Sequence, residues 1–120
     1  MESILRDKSY LFALRVVRLY KHLVEQHQEY TLSKQVLRSG TSIGALVREA
    51  QYARSAKDFI NKLHITLKQA NETEYWILLL KDSKYITQKM HDNIEPDINE
   101  LIKMLTSSLN TAKNNLPSKK

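Results

Sequence analysis

Two side chains in the first third of the sequence could act together on a phosphate. Arg15 and His22 have six residues between them, and at about 100° per residue this spacing puts both on nearly the same line of a helix. A histidine can act as general acid or base, and a nearby arginine can hold a phosphate oxygen. Because such spacing also arises by chance in a basic helix, ribonuclease activity is the least favoured of our three hypotheses.

This pair resembles the Arg/His pair of HEPN-type helical ribonucleases, in which the pair lies late in the domain. Other catalytic patterns are missing from the sequence. None of its four histidines has an acidic residue three positions earlier, as carboxylate di-metal bundles require. The sequence has no cysteine, and we find no glycine-rich phosphate loop or His-Glu-x-x-His motif. We therefore predict no metal or cofactor site, and Arg15 with His22 remains the one candidate catalytic pattern.

A stronger candidate site is a set of cations on the predicted second helix. The formal net charge is +6, and residues 31–57 contain five basic residues but a single acid. Lys34, Arg38 and Arg48 lie opposite the predicted core line and span about 21 Å, so they could follow a phosphate backbone. The alternative is a solvated outer face, which any soluble helix needs. The next candidates are three cations of the first helix: Arg15, Arg18 and Lys21.

Helices must position these side chains, because the sequence leaves little else. Two glycines and two prolines in 120 residues are too few for the turns of a β fold. Hydrophobic periodicity predicts four helices, over residues 3–28, 32–53, 55–81 and from about 87 onward. Short connections favour antiparallel neighbours, so we expect an all-α, up-down-up-down four-helix bundle.

Local signals predict how these helices begin and pack. Thr31 is the expected N-cap of the second helix, and Ser55 with Asp58 forms a capping box for the third. Gly40 lies in the core line of the second helix, so we expect a close helix approach there, with a break as the minor alternative. Pro96 removes one hydrogen bond of the fourth helix and should kink or split it.

The third helix has more apolar surface than a monomeric bundle requires. Ile65, Trp76 and Leu79 lie about 120° or more from its core line. A tryptophan and two aliphatic side chains on one face predict a subunit interface. The alternative is that the third helix is central and is buried on two sides within one chain.

The ends of the chain set the expected domain and its location. We predict one four-helix domain over residues 1–113 and a disordered basic tail over residues 114–120. No apolar run resembles an export signal or a membrane span, so we expect a cytoplasmic protein without a membrane partner.

Several segments match a known family. The most specific runs from Gln35-Val-Leu-Arg38 through Ser42-Ile43 to Glu49, and weaker matches lie around Lys8-Ser-Tyr10 and Glu72-Thr-Glu-Tyr75-Trp76. Over about residues 5–110, the sequence resembles the bacterial four-helix-bundle family named after proteins encoded in ribosomal RNA intervening sequences.

The resemblance implies a four-helix bundle that assembles as a homopentamer and has no enzymatic role. Relatives that serve as accessory proteins of diversity-generating retroelements bind nucleic acid and a reverse transcriptase through basic surfaces. We therefore expect an oligomeric scaffold that binds the backbone of RNA or DNA, with a reverse transcriptase or a ribosomal component as a further partner. The alternative is a protein-interaction module whose basic face binds an acidic partner.

Overall fold

The computed structural model describes residues 2–117, which form four α-helices. Their bounds are α1 Glu2–His27, α2 Leu32–Ala50, α3 Ala56–Asp82 and α4 Gln88–Asn114. No strand occurs between residues 2 and 117. The molecule measures 56 × 23 × 21 Å, the elongated shape of helices lying side by side. The predicted all-α fold with four helices is therefore confirmed.

Neighbouring helices run in opposite directions. Contacts between helices pair early residues of one helix with late residues of its neighbour. Between α1 and α2, Ser9 meets Gly44 and Val16 meets Gly40, and between α2 and α3, Ser39 meets Thr73 and Glu49 meets Lys62. Between α1 and α4, Lys8 pairs with Glu100 and Arg15 with Asp97. The helices pack in the order α1, α2, α3, α4, and the contact that closes the bundle between α1 and α4 is the smallest.

Each helix contributes one apolar stripe to a single core. The largest fully buried apolar side chains come from all four helices: Phe12, Val16, Leu23, Val36, Ile43, Ile77, Leu80, Ile98, Leu101 and Leu105. Burying such a side chain stabilises the fold by roughly 1.5–3 kcal/mol. These stripes follow the predicted hydrophobic periodicity, except that Leu32, Phe59 and Met90, which were also expected in the core, are only half-buried.

Gly40 marks the closest approach of α1 and α2. A Cβ atom at Gly40 would lie 2.8 and 2.9 Å from the two methyl carbons of Val16, closer than carbon atoms can pack. One turn later, a Cβ atom at Gly44 would lie 3.4 Å from the Ser9 carbonyl oxygen, a tight but tolerable contact. Because α2 runs unbroken through both glycines, the prediction of a close helix approach is confirmed.

The N-terminus of α2 is capped differently from the prediction. Thr31 occupies the N-cap position, as predicted, but it has near-helical torsion angles and its side chain makes no capping hydrogen bond. The carboxylate of Glu29 instead accepts hydrogen bonds from the backbone amides of Leu32 and Ser33, at 3.0 and 2.7 Å. A glutamate two residues outside the cap has the reach to bind these free amides, and its negative charge suits the positive end of the helix.

The other helix ends agree more closely with prediction. The Ser55 hydroxyl accepts from the Asp58 amide at 3.0 Å, as expected, while the Asp58 carboxylate binds the amide of Arg54 rather than that of Ser55. Helix α4 continues through Pro96, so the predicted split is wrong. Pro96 is exposed, where water can satisfy the carbonyl that the proline leaves unpaired.

At the C-terminus, Asn114 is the last residue of α4. Residues 118–120 of the predicted tail lie outside the described residues. Within the described chain, no helix combines the length and apolarity needed to cross a bilayer.

Candidate nucleic-acid interface

One of the predicted cations, Arg48, contacts α1 on the outside of the bundle. The guanidinium carbon of Arg48 is 5.9 Å from the centroid of the Tyr10 ring of α1, within cation–π range. Lys34 lies 14 residues before Arg48, which puts it within about 40° of the same line of α2. Both side chains are exposed. They therefore extend along the same side of α2.

Lys21 of α1 joins this surface. It follows Tyr10 by 11 residues, so the two lie within about 20° on the helix. Since α1 and α2 are antiparallel and Tyr10 contacts Arg48, Lys21 and Lys34 lie at nearly the same level, about one helical turn apart along the bundle axis. We call Tyr10, Lys21, Lys34 and Arg48 the α1–α2 outer face.

Arg38 lies on the other side of α2. It forms an ion pair with Glu72 of α3 and donates to Gln35 at 3.0 Å and to Gln69 at 3.3 Å. The predicted stripe therefore meets two different neighbours, with Arg48 against α1 and Arg38 against α3. Lys34, about 40° from each of them on the helix, lies between the two. A helical wheel separates the inner from the outer face, but it does not say which neighbouring helix an outer residue meets.

Glu72 also connects Arg38 with Trp76, a predicted interface residue. The Trp76 indole donates to the Glu72 carboxylate at 2.9 Å. This hydrogen bond, with the charge of Arg38 beside it, holds the pKa of Glu72 below its ordinary value. Trp76 packs against the core of its own chain and is half-buried, as is Leu79. Ile65 is exposed.

The surface offers other apolar side chains that the sequence analysis missed. Tyr75 and Leu78, next to Trp76, are more exposed than it is. On α1, Ile4, Leu11 and Leu14 are also exposed and lie on the face opposite the core. Their spacing of seven and three residues could have shown from the sequence that they share one face of α1. This face is a second apolar surface that an oligomer could cover.

The remaining predicted cations lie at the junction of α1 and α4. Arg15 forms an ion pair with Asp97 and binds Asn93, both on α4. Arg18 lines a cleft of about 370 Å³ between the two helices, together with Arg15, His22 and Lys89. The sequence analysis placed Arg15 and His22 on one line, and the structure places both in this cleft.

The six predicted cations therefore fall into two classes. Arg15 and Arg38 are paired with carboxylates. Among the described residues, no carboxylate oxygen lies within 4.0 Å of the charged atoms of Arg18, Lys21, Lys34 or Arg48. These four can bind an external anion without first breaking an ion pair. In the same described part of the chain, no cluster of three acidic or histidine side chains could hold a metal ion.

Comparison with known proteins agrees with this architecture. Residues 1–107 match the family described as 23S rRNA-intervening sequence protein. A crystal structure at 1.70 Å resolution, described as a protein with unknown function from the S23 ribosomal protein family of Bacteroides thetaiotaomicron VPI-5482, is 52% identical. The match covers 91% of this chain and 97% of that one, with a TM-score of 0.89. No curated protein matches. The match over residues 1–107 shows that the chain belongs to the 23S rRNA-intervening sequence protein family.

Proposed function

We propose that this protein is a cytoplasmic, non-enzymatic scaffold that binds the phosphate backbone of RNA or DNA as an oligomer. The observation that carries the proposal is the set of cations on the outer surfaces of α1 and α2 that have no carboxylate partner among the described residues. Lys21, Lys34 and Arg48 lie on the α1–α2 outer face, and Arg18 lies at the cleft between α1 and α4. The family description, which refers to ribosomal RNA, supports the same conclusion.

The geometry of the α1–α2 outer face suits a backbone rather than a particular base sequence. Lys21 and Lys34 form one end of the surface, and Arg48 lies about 21 Å from Lys34 at the other. Lysine contacts phosphate as a mobile point charge and carries no information on the bases. Arg38 and Arg15 contribute less, since a phosphate must compete there with Glu72 or Asp97.

Oligomerisation would multiply this weak electrostatic site. A homopentamer, the assembly that the family resemblance implies, would carry five copies of the outer face and a formal charge of 5 × +6, or +30. The exposed apolar surfaces on α3 and α1 provide candidate subunit contacts. A repeated array of cations gives steep salt dependence and high overall affinity.

A second candidate function is binding of an acidic protein. Tyr10 and Leu14 are 51% and 39% exposed on α1. Apolar groups beside cations are typical of protein interfaces and add nothing to a phosphate contact. A reverse transcriptase or a ribosomal protein with an acidic surface would fit such a site.

A competition experiment separates the two functions. Fluorescence anisotropy should detect binding of labelled single-stranded RNA and DNA of unrelated sequences, with similar affinities that fall steeply as salt rises. Unlabelled nucleic acid should displace the probe far more efficiently than polyglutamate of equal charge. Absence of binding at low salt, or displacement by polyglutamate as efficient as by RNA, would contradict nucleic-acid binding.

A further inference from the structure

We propose that the cleft between α1 and α4 binds a single nucleotide, with its base on the apolar floor and its phosphate between Arg18 and Lys89. The cleft measures about 370 Å³, near the small end of the range of ligand sites, about 300–1,000 Å³. It opens where the bundle closes least tightly, because the contact between α1 and α4 is the smallest of the four. The position is separate from the α1–α2 outer face.

The walls of the cleft carry uncompensated positive charge. Arg18 comes from α1 and Lys89 from α4, both are exposed, and neither lies within 4.0 Å of a carboxylate among the described residues. Lys89 is in the first turn of α4, and this turn contains no acidic residue. The N-terminus of a helix is the positive end of its dipole, so it adds to the positive charge at this wall. Two cations from opposite walls suit a phosphate monoester, which carries more than one negative charge at neutral pH.

The floor of the cleft is apolar and matches a flat ring. It is formed by four side chains: Leu19, Ile86, Met90 and Ile94. The flat face of a base can pack against such a surface by apolar contact whatever the identity of the base. At the wall of the cleft, the Asn93 amide oxygen accepts from Arg15, which leaves the amide N–H groups for an acceptor on the base.

The ring of His22 adds an aromatic edge to the same cleft. It packs against His27 with ring centroids 5.3 Å apart, and His27 in turn packs against Tyr85 at 5.7 Å. This chain of rings links the end of α1 to the loop between α3 and α4. His22 is therefore held in place beside the proposed base.

The proposal that a nucleotide of an RNA or DNA strand enters the cleft rests on the proposed function. If the chain binds nucleic acid, the segment that enters the cleft must be single-stranded, since a base in a duplex is stacked and paired. Binding of a free nucleotide tests the cleft itself, whether or not the protein binds a polymer.

The test is a titration of the full-length protein with adenosine 5′-monophosphate, followed by two-dimensional amide NMR. The account predicts saturable shifts confined to residues around the cleft. Ribose 5-phosphate, which lacks the base, and adenosine, which lacks the phosphate, should each bind about tenfold more weakly. Equal binding of ribose 5-phosphate, or tighter binding of octyl phosphate, would overturn the assignment to a nucleotide.

Matched variants locate the site. An Arg18→Ala/Lys89→Ala variant should weaken adenosine monophosphate binding about tenfold or more, because both charged contacts are lost. A Lys68→Ala/Lys103→Ala variant, with the same change in charge at exposed positions of α3 and α4, should bind this nucleotide like wild type. If the first variant does not fold, Lys89→Gln alone should still weaken binding.

The two proposals fail in different ways. Nucleotide shifts that map to the α1–α2 outer face, or that persist unchanged in the Arg18→Ala/Lys89→Ala variant, would overturn the cleft proposal. Loss of polymer binding in the Lys21→Ala/Lys34→Ala variant, with nucleotide binding intact, would support both. A protein that binds no polymer but binds the nucleotide in the cleft would overturn only the proposed scaffold function.

Discussion

The Trp76 indole donates a hydrogen bond to the Glu72 carboxylate at 2.9 Å, and that carboxylate also pairs with Arg38. Two residues with different predicted roles, one in an interface and one in anion binding, are therefore joined through a single side chain. Glu72 orients Trp76 along the α2–α3 surface and reduces the charge that Arg38 presents to solvent. The ion pair with Arg38 depends on Glu72 being ionised, and ionisation also strengthens the hydrogen bond from Trp76.

Glu72→Gln should lower the free energy of unfolding at pH 7 by up to about 1 kcal/mol, because this partly exposed pair is screened by water. The pKa of Glu72 is lowered in the folded protein. The stabilisation is therefore complete above the ordinary pKa of 4.5 and is lost as pH falls through the folded value. Urea unfolding at pH 7 and in acid, followed by Trp76 fluorescence, checks this. A constant difference between the two proteins across that range would contradict it.

Glu29→Ala should destabilise the protein by about 1 kcal/mol, the usual cost of losing a helix cap. Burial acts to raise the pKa of Glu29, but hydrogen bonds from the amides of Leu32, Ser33 and Thr31 outweigh it, so the net pKa is lowered. This contribution too is lost as pH falls below about 4.5 through the folded pKa.

Glu25→Ala is the matched control for this cap, since Glu25 lies one turn earlier on α1 and is exposed. The free energy of unfolding of the Glu25→Ala variant, measured by thermal unfolding, should lie within about 0.5 kcal/mol of the wild-type value. Equal stability of the two alanine variants would show that Glu29 does not cap α2.

Gly40→Ala should cost about 1–3 kcal/mol through overpacking against Val16, although alanine is the better helix former. Val16 is β-branched and fully buried, so its methyl groups cannot easily move. Gly44→Ala should be milder, because the new Cβ atom would meet Ser9 at 3.4 Å.

A double-mutant cycle provides the control for this contact. Val16→Ala removes the two methyl groups that clash, so adding Gly40→Ala in that background should cost much less than in wild type. Additive free energies of unfolding for the two changes would mean that α1 and α2 do not meet at this point.

Light scattering should give a mass several times the 14.0 kDa of one chain, near 5 × 14.0 = 70 kDa for a pentamer. Trp76→Ala should weaken the assembly by a few kcal/mol if the indole anchors the interface. Leu11→Glu/Leu14→Glu tests the apolar surface of α1 in the same way. A monomeric wild-type protein at micromolar concentration would contradict oligomerisation. If only the α1 variant disrupts the assembly, the subunit interface lies on α1 and does not include Trp76.

The sequence predicted the helices and core well because both depend on local periodicity. Ile43 and Leu105, for example, are buried where the 3.6-residue repeat puts them. It predicted the neighbours of surface residues poorly, because a wheel cannot tell that Arg38 meets α3 while Arg48 meets α1. The cap by Glu29 was missed because its carboxylate reaches α2 from outside the usual N-cap position. Lys89 was missed because only the fold brings it beside Arg18.

The most direct test of the scaffold function is the salt dependence of RNA binding by two triple variants of equal charge. Lys21→Ala/Lys34→Ala/Arg48→Ala removes the cations of the α1–α2 outer face. The control replaces three exposed cations of α3 and α4 that have no carboxylate partner among the described residues: Lys68→Ala/Lys103→Ala/Lys113→Ala. Both should fold like wild type, because exposed charges contribute little to stability.

Each lost phosphate contact should reduce the slope of log affinity against log salt by about 0.7–0.9. The account predicts that the outer-face variant loses about two units of slope or more and most of its affinity for RNA of any sequence, while the control stays close to wild type. Equal losses of affinity and salt slope in the two variants would mean that net charge, and not the α1–α2 outer face, determines RNA binding. An outer-face variant that remains oligomeric and binds RNA with the affinity and salt slope of wild type would contradict the proposed function.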